Sequence, residues 1–301
     1  MTESHLPGGY TSDEVNALVV QACDEFDFDG SEPHLLRGHT NAVIRLGDVV
    51  LKIARKGTAP QAVERTATLV CWLQELGFPT VPLRPGIRQP VRLQQGALAT
   101  VWNYLPQPAR PVTAADLAAP LADLHRLTTP PISIRRLDNL SAIRRSLATA
   151  RTLCPDDRAF LTNWADELEQ GLDRVTYDLP PCLVQGDPQH RNALHDTEQG
   201  RTVLCDWDTV AFGQPEWDLV TVEIHCRRFG YGTRHYEGFA DAYGLDITVW
   251  PGYPVLRDIR ELRMIATNAR KSHHTPGSLA EVRRRIKGIR EQEDMMEWDI
   301  L

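Results

Sequence analysis

Residues 181–219, PCLVQGDPQHRNALHDTEQGRTVLCDWDTVAFGQPEWDL, constrain this chain more than any other stretch. Two apolar bursts, residues 182–184 and 202–205, read as short strands, and each runs directly into acid. Gly186-Asp187 follows the first and Asp206-Trp207-Asp208 follows the second. Asn192 stands five residues beyond Asp187, and Gln199-Gly200 marks a turn between the strands.

An aspartate, an asparagine five residues on, and a strand that delivers another aspartate suit phosphoryl transfer. One carboxylate accepts the proton of an attacking hydroxyl, while the amide and the second carboxylate hold magnesium on nucleotide phosphates. Asp187 is therefore the candidate base, and Asn192 and Asp206 are the candidate metal ligands. The remainder of the chain is compatible with such an enzyme. Its 301 residues can build two lobes or one large domain, each with a core of its own. No apolar run approaches the ~18 residues of a membrane span, and the polar, acidic start MTESHLPGGYTSDE is not a secretory signal. A formal charge of −7 argues against nucleic acid as the main partner and suits cationic ligands. The scattered cysteines form no CxxC pair or zinc spacing, so they read as free thiols. A cytoplasmic protein is expected.

The first third reads as a nucleotide-clamping lobe. Thr11 and Glu14 stand at capping-box spacing before a helical stretch. Residues 40–46 and 49–54 read as strands joined by Gly47-Asp48. Upstream, the turn from Gly38 to Asn41 offers backbone N–H groups to phosphate. Lys52 alternates to the face opposite Leu51 and Ile53 and could reach phosphates; a solvent-facing strand lysine is the plainer alternative. Residues 60–76 form a helix with Pro60 at its start, and Glu64 is its best-placed carboxylate for holding Lys52. Residues 91–94 and 97–104 read as a second strand pair, with Thr100 and Trp102 as further nucleotide-side candidates. The lobe boundary is expected near Leu105, giving lobes of residues 1–104 and 105–301.

Beyond it, residues 113–127 (bent at Pro120), 141–153 and 156–172 read as helices, with a breaker at 128–131. Residues 216–230, 232–243, 254–271 and 278–298 read as four more. His125, alone on its helix, is more simply structural than catalytic.

From about residue 36 to 219 the ordered set resembles the aminoglycoside phosphotransferase family, which also includes sugar, choline and amino-alcohol kinases. The set comprises the glycine turn with Asn41, Lys52, Glu64, the LADLHRL stretch, GDPQHRN and CDWDTVAFGQPEWDL. The resemblance implies an α+β, two-lobed, protein-kinase-like fold with a small antiparallel-sheet lobe and a larger helical lobe. It implies Asp187 as base, Asn192 and Asp206 on Mg2+, Lys52 on the phosphates of ATP or GTP, and Asp218 bracing the catalytic loop. Asp208 would support the metal aspartate. Carboxylates of the last third, Glu223 among them, would meet amino groups of an acceptor, and Asp208 is a second candidate for that contact. The partners implied are a nucleotide and a small-molecule acceptor, plausibly an aminoglycoside-type antibiotic in a resistance role, with a sugar, amino alcohol or secondary metabolite as the near alternative. One departure stands out: Gln185 occupies the place where the family usually has histidine. A neutral amide keeps hydrogen bonding but loses any cationic help, so a silent nucleotide-binding protein is a competing expectation. A metal-dependent hydrolase using Asp187, His190, His195 and Asp206 is a third, although it leaves Lys52 and Glu64 without roles. Sequence does not give the oligomeric state.

Overall fold

The computed structural model describes residues 7–38, 40–127, 130–273 and 277–301. In chain order the first elements are α1 (Ser12–Phe26), β1 (His34–Arg37), β2 (Ala42–Leu46), β3 (Val49–Ile53), α2 (Pro60–Glu75), β4 (Val91–Arg92) and β5 (Leu98–Asn103). Then follow α3 (Ala114–Arg126), α4 (Asn139–Thr149), α5 (Pro155–Leu172), β6 (Cys182–Val184), β7 (Ala193–Asp196), β8 (Arg201–Leu204) and β9 (Ala211–Gly213). The chain ends with α6 (Glu216–Arg228), α7 (Thr233–Tyr243), α8 (Tyr253–Lys271) and α9 (Ser278–Arg290). No helix among the described residues is long and apolar enough to cross a membrane.

The chain divides into two compact units. The first comprises the described residues of Met1–Pro111, Pro130–Ser133 and Ala193–Asp208; the second comprises those of Val112–Thr129, Ile134–Asn192 and Thr209–Leu301. Against the expected division at residue 104, the first unit runs on to Pro111 and takes in the β7–β8 hairpin.

The first unit is built on an antiparallel sheet of order β1-β2-β3-β5-β4. The Gly47 turn (φ +56) joins β2 to β3, a left-handed conformation that glycine adopts without strain. Thr11 and Glu14 close the expected capping box, and α1 lays Val15, Leu18, Val19 and Ala22 on one sheet face. Leu51 and Ile53 join that core, so strand alternation turns Lys52 to the other face. Its cross-strand neighbours are Val43 and Thr100, and Trp102 lies two residues along the same strand as Thr100.

The second unit is mainly helical. Its core joins α4, α5, α8 and α9 through residues such as Ile143, Leu161, Leu262, Ile265 and Ile286. Thr113 and Asp116 form a capping box at the start of α3, which accommodates Pro120 within its span. An α+β architecture with one sheet-based and one helical unit is present as expected.

The apolar bursts at 182–184 and 202–205 form strands β6 and β8; β6 pairs with β9 and β8 with β7, all antiparallel. Two expected spans need correction. The helix expected over 278–298 stops at Arg290, because Gln292 takes φ +58 and the chain turns back to bury Trp298 against Phe229. The strands at 91–94 and 97–104 shrink to Val91–Arg92 and Leu98–Asn103 around a short helical turn, Gln94–Gly96. Thr128 and Thr129 of the expected breaker, and His39 of the glycine turn, lie outside the described residues.

Candidate active site

In the first unit the polar residues gather around Lys52. Its Nζ lies 3.0 Å from Asp206 Oδ1 and 3.0 Å from Asp208 Oδ2. Asp208 Oδ2 also accepts from Asn41 Nδ2 at 3.0 Å, while Asn41 Oδ1 accepts the Arg55 N–H at 3.1 Å. Trp207 explains why two aspartates flank a tryptophan. Its ring is buried, with Nε1 donating to Thr80 Oγ1 at 2.9 Å and Phe78 meeting it edge-on. That anchor, with Asp206 at φ +58, turns both flanking carboxylates onto one ammonium. Left-handed backbone is a conformation that aspartate tolerates better than most residues. Burial alone would lower the Lys52 ammonium, but the charges of Asp206 and Asp208 outweigh it and raise the pKa. Burial likewise opposes ionisation of Asp208, and Lys52 reverses the balance, leaving its carboxyl below the ordinary value. Lys52 is thus held cationic and aimed.

Other first-unit candidates take different places. Thr100 and Trp102 share the Lys52 face of the sheet, both buried, with Trp102 Nε1 donating to Thr100 Oγ1 at 2.8 Å. Glu64 does not pair with Lys52. It meets Arg92 at 3.2 Å on an exposed surface, while Asp206 and Asp208 take the place expected for it. The Gly38 carbonyl accepts from the Gly8 N–H at 3.2 Å, and Asn41 spends its side chain on Asp208 and Arg55.

The second unit carries the Asp187 loop, built from the backbone outward. Gly186 has φ +85, and a Cβ there would lie 2.4 Å from the Thr209 carbonyl oxygen, so only glycine fits. Asp218, fully buried, accepts the Gln185 N–H at 2.7 Å and the Gly186 N–H at 2.9 Å. Its Oδ2 also lies 3.2 Å from His125 Nε2, and His125 Nδ1 lies 2.7 Å from the Tyr243 hydroxyl. His125 is structural, and Asp218 braces the loop as the resemblance implies. Trp217 Nε1 donates to the Gly186 carbonyl at 3.0 Å, and Thr209 Oγ1 donates to the Gln185 carbonyl at 2.9 Å. The Gln185 side chain in turn orders the next residue but one, since its Oε1 accepts the Asp187 N–H at 2.7 Å.

Asp187 Oδ2 accepts from Gln189 Nε2 at 2.9 Å, and Oδ1 accepts from Arg260 Nη2. Asn192 Nδ2 donates to the Asp187 carbonyl at 2.9 Å, so its Oδ1 is the atom that it can offer a cation. Burial pushes the Asp187 carboxyl up, but the charge of Arg260 outweighs it and holds the group below its ordinary value. Next to it, His225 is pushed down to about 3 by burial and by the Arg260 charge, so it is neutral near pH 7. A carboxylate kept ionised and oriented is what a general base requires.

Glu223, expected to face an acceptor, is buried and paired with Arg227 at 2.8 Å. Asp208, the other acid considered for that contact, is held by Lys52 and Asn41. His190, considered for a hydrolytic site, lies 2.8 Å from His235 and stacks on Tyr231. Sequence reasoning missed Arg260 and His225. A signal for the first existed: Arg260 and Arg263 fall on the stripe of α8 that carries Leu256 and Ile259, where a charged side chain is out of pattern.

Within the first unit Asp206 and Asp208 offer carboxylate oxygens, and within the second Asn192 offers an amide oxygen; each is a hard donor type of the kind magnesium takes.

The profile described as "Phosphotransferase enzyme family" matches residues 34–259. No curated protein sequence matches the chain. Among solved structures, choline kinase LicA from Streptococcus pneumoniae superposes with a TM-score of 0.68 at 16% identity, covering 93% of this chain and 100% of that one. A choline/ethanolamine kinase family protein from Mesorhizobium loti gives 0.64 at 16% identity, covering 94% and 97%. Amicoumacin kinase hAmiN, in complex with AMP-PNP, Ca2+ and Ami, gives 0.66 at 16% identity, covering 96% and 98%. At such identities the structures speak for a shared kinase-like fold, and the profile match covers most of the chain. The protein belongs to the phosphotransferase enzyme family.

Proposed function

We propose that this enzyme transfers the γ-phosphate of ATP or GTP to a hydroxyl of a small polar molecule. The observation that carries the reading is the Asp187 carboxylate, ionised by Arg260 and fixed through Gln185, Gln189 and Asn192 on a glycine that only this loop geometry demands. The acceptor hydroxyl gives its proton to Asp187 as its oxygen bonds to the γ-phosphorus. The bond from that phosphorus to the β–γ bridging oxygen breaks, and the nucleoside diphosphate leaves with its electron pair. Lys52, held cationic by Asp206 and Asp208, steadies the nucleotide phosphates. Magnesium held by Asn192 and Asp206 would neutralise the charge of those phosphates. Because Glu223 and Asp208 are engaged within the protein, the reading does not rest on a polycationic acceptor.

The test is a magnesium-nucleotide assay across aminoglycosides, aminocyclitols, amino alcohols, sugars and acidic hydroxylated metabolites, with products read by mass. A gain of one phosphate on one class is expected. Asp187→Asn should lower turnover by about 10³-fold or more while nucleotide affinity stays close to wild type. Nucleotide binding without transfer to any acceptor would instead identify a silent nucleotide-binding protein.

A further inference from the structure

Arg260 and Arg263 lie one helical turn apart on α8, and their guanidinium carbons stand 5.7 and 5.6 Å from the centre of the same Trp217 ring. The indole Nε1 of that tryptophan donates to the Gly186 carbonyl, one residue from Asp187, so both cations are tied to the catalytic loop. Arg260 is only 6% exposed. One of its amino groups meets Asp187 and lies 3.4 Å from neutral His225, while its Nε has no hydrogen-bond partner among the described residues. Arg263 donates to Asn139 Oδ1, an uncharged amide. Burial, with the charge of Arg260 next, pulls the Arg263 guanidinium down to about 10; Arg135 and Arg145 act in the same direction, and Asp187 is the acid opposing them.

A buried and a half-buried guanidinium therefore stand on one tryptophan, and Asp187 is the carboxylate that Arg260 contacts. Buried charge is costly unless it is paired, and Asp187 Oδ1 is already committed to Arg260. A guanidinium presents planar forked donors that match an oxyanion at two points. Resting on the phosphotransferase reading above, we propose that Arg260 and Arg263 form an oxyanion subsite beside Asp187 that receives a phosphate-like group. Two sources share this chemistry: the phosphoryl group in transfer, and an acidic substituent on the acceptor, which would make the substrate an anionic alcohol rather than a polyamine.

The experiment uses the full chain and inorganic phosphate as probe, followed by 31P line broadening and calorimetry. Wild type should bind phosphate, and Arg263→Met should weaken that binding roughly tenfold or more, with Arg263→Lys recovering part of it. Far-ultraviolet circular dichroism checks that each variant is folded; should Arg263→Met fail to fold, Arg263→Gln carries the same comparison. No saturable phosphate binding, or binding equal in the wild type and the variants, overturns the subsite. Kinetics then separate the sources. A rise in KM for acidic acceptors relative to their neutral counterparts points to the acceptor, whereas an equal fall in kcat for every acceptor points to the phosphoryl group. Phosphate binding that depends on Arg263 in a protein that phosphorylates no acceptor would leave the subsite standing and remove the kinase reading.

Discussion

Gln185 shows how much the loop asks of one side chain. It is fully buried, its N–H goes to Asp218, its carbonyl takes the Thr209 hydroxyl, and its Oε1 takes the N–H of Asp187. Gln185→Leu would leave that N–H without an acceptor, a cost of about 1–3 kcal/mol. The expected result is a matching loss of stability in urea and a fall of roughly tenfold or more in kcat, with nucleotide KM little changed. Gln185→His restores an acceptor and should recover most of the rate. If Gln185→Leu proves as stable and as fast as wild type, the side-chain bond to Asp187 is dispensable. Arg260 offers a second test at this scale. Because its charge holds the Asp187 carboxyl down against burial, Arg260→Gln should let that pKa rise. The acid limb of kcat/KM then moves to higher pH, since more protons must be removed to free the base. His225 is itself held down by burial and by the Arg260 charge, so its own titration rises in the same variant and is followed alongside by NMR. Lys52, Asp187, Asp206 and Asp208 could be singled out in the sequence because each interrupts or follows an apolar strand, and Asn192 by its spacing from Asp187. Arg260 stands out only as a charge on an apolar stripe, because its partner Asp187 lies 73 residues away, and His225, which meets Arg260 from α6, has no local signal at all.

Among the elements, α6 and α8 are tied by a buried ion pair. Arg228 Nε lies 2.8 Å from Glu261 Oε1 and Nη2 lies 2.9 Å from Oε2, with both side chains almost wholly enclosed. The same guanidinium donates to the Glu293 and Met296 carbonyls, which pins the segment after α9. Removing one partner strands the other charge, so Glu261→Leu should cost about 3–5 kcal/mol in denaturant unfolding. Arg228→Met combined with Glu261→Leu should cost less than the two single changes added together; strict additivity would mean the pair does not act as a unit. This contact also explains where reading the sequence stopped short. Apart from Gly288, residues 279–297 are mostly helix-forming, yet Arg228 draws the carbonyls of 293 and 296 out of a helix and Trp298 enters the core. Strands β1, β7 and β9 were missed for a related reason. β1 is exposed at every residue and shows no alternation, while β7 and β9 have three or four residues each and exist through their pairing. The capped helices α1 and α3 and the Gly47 hairpin were legible because their signals are local.

For the molecule as a whole, three histidines set the acid side of stability. His190, His225 and His235 belong to the second unit, and burial first of all pushes each below its ordinary value, His190 to about 4 and His225 to about 3. A histidine with a depressed folded pKa binds a proton more readily once unfolded. Unfolding therefore takes up protons below pH 6.5, and stability falls with pH until the folded value is reached. The buried carboxylates with lowered pKa values, Asp187 and Glu281 among them, contribute only below their ordinary values of 3.8 and 4.5. Between pH 6.5 and pH 5 the histidines consequently act without them. One fully buried histidine loses about 1.4 kcal/mol per pH unit in that window, on the order of 2 kcal/mol by pH 5. Thermal unfolding should move down by several degrees between pH 7 and pH 5. His225→Gln removes one titrating group and should flatten that slope, and hydrogen exchange along Glu216–Arg228 should report the change locally. A slope that is the same in His225→Gln and wild type would mean that the neutral His225 beside Arg260 is not a source of acid sensitivity.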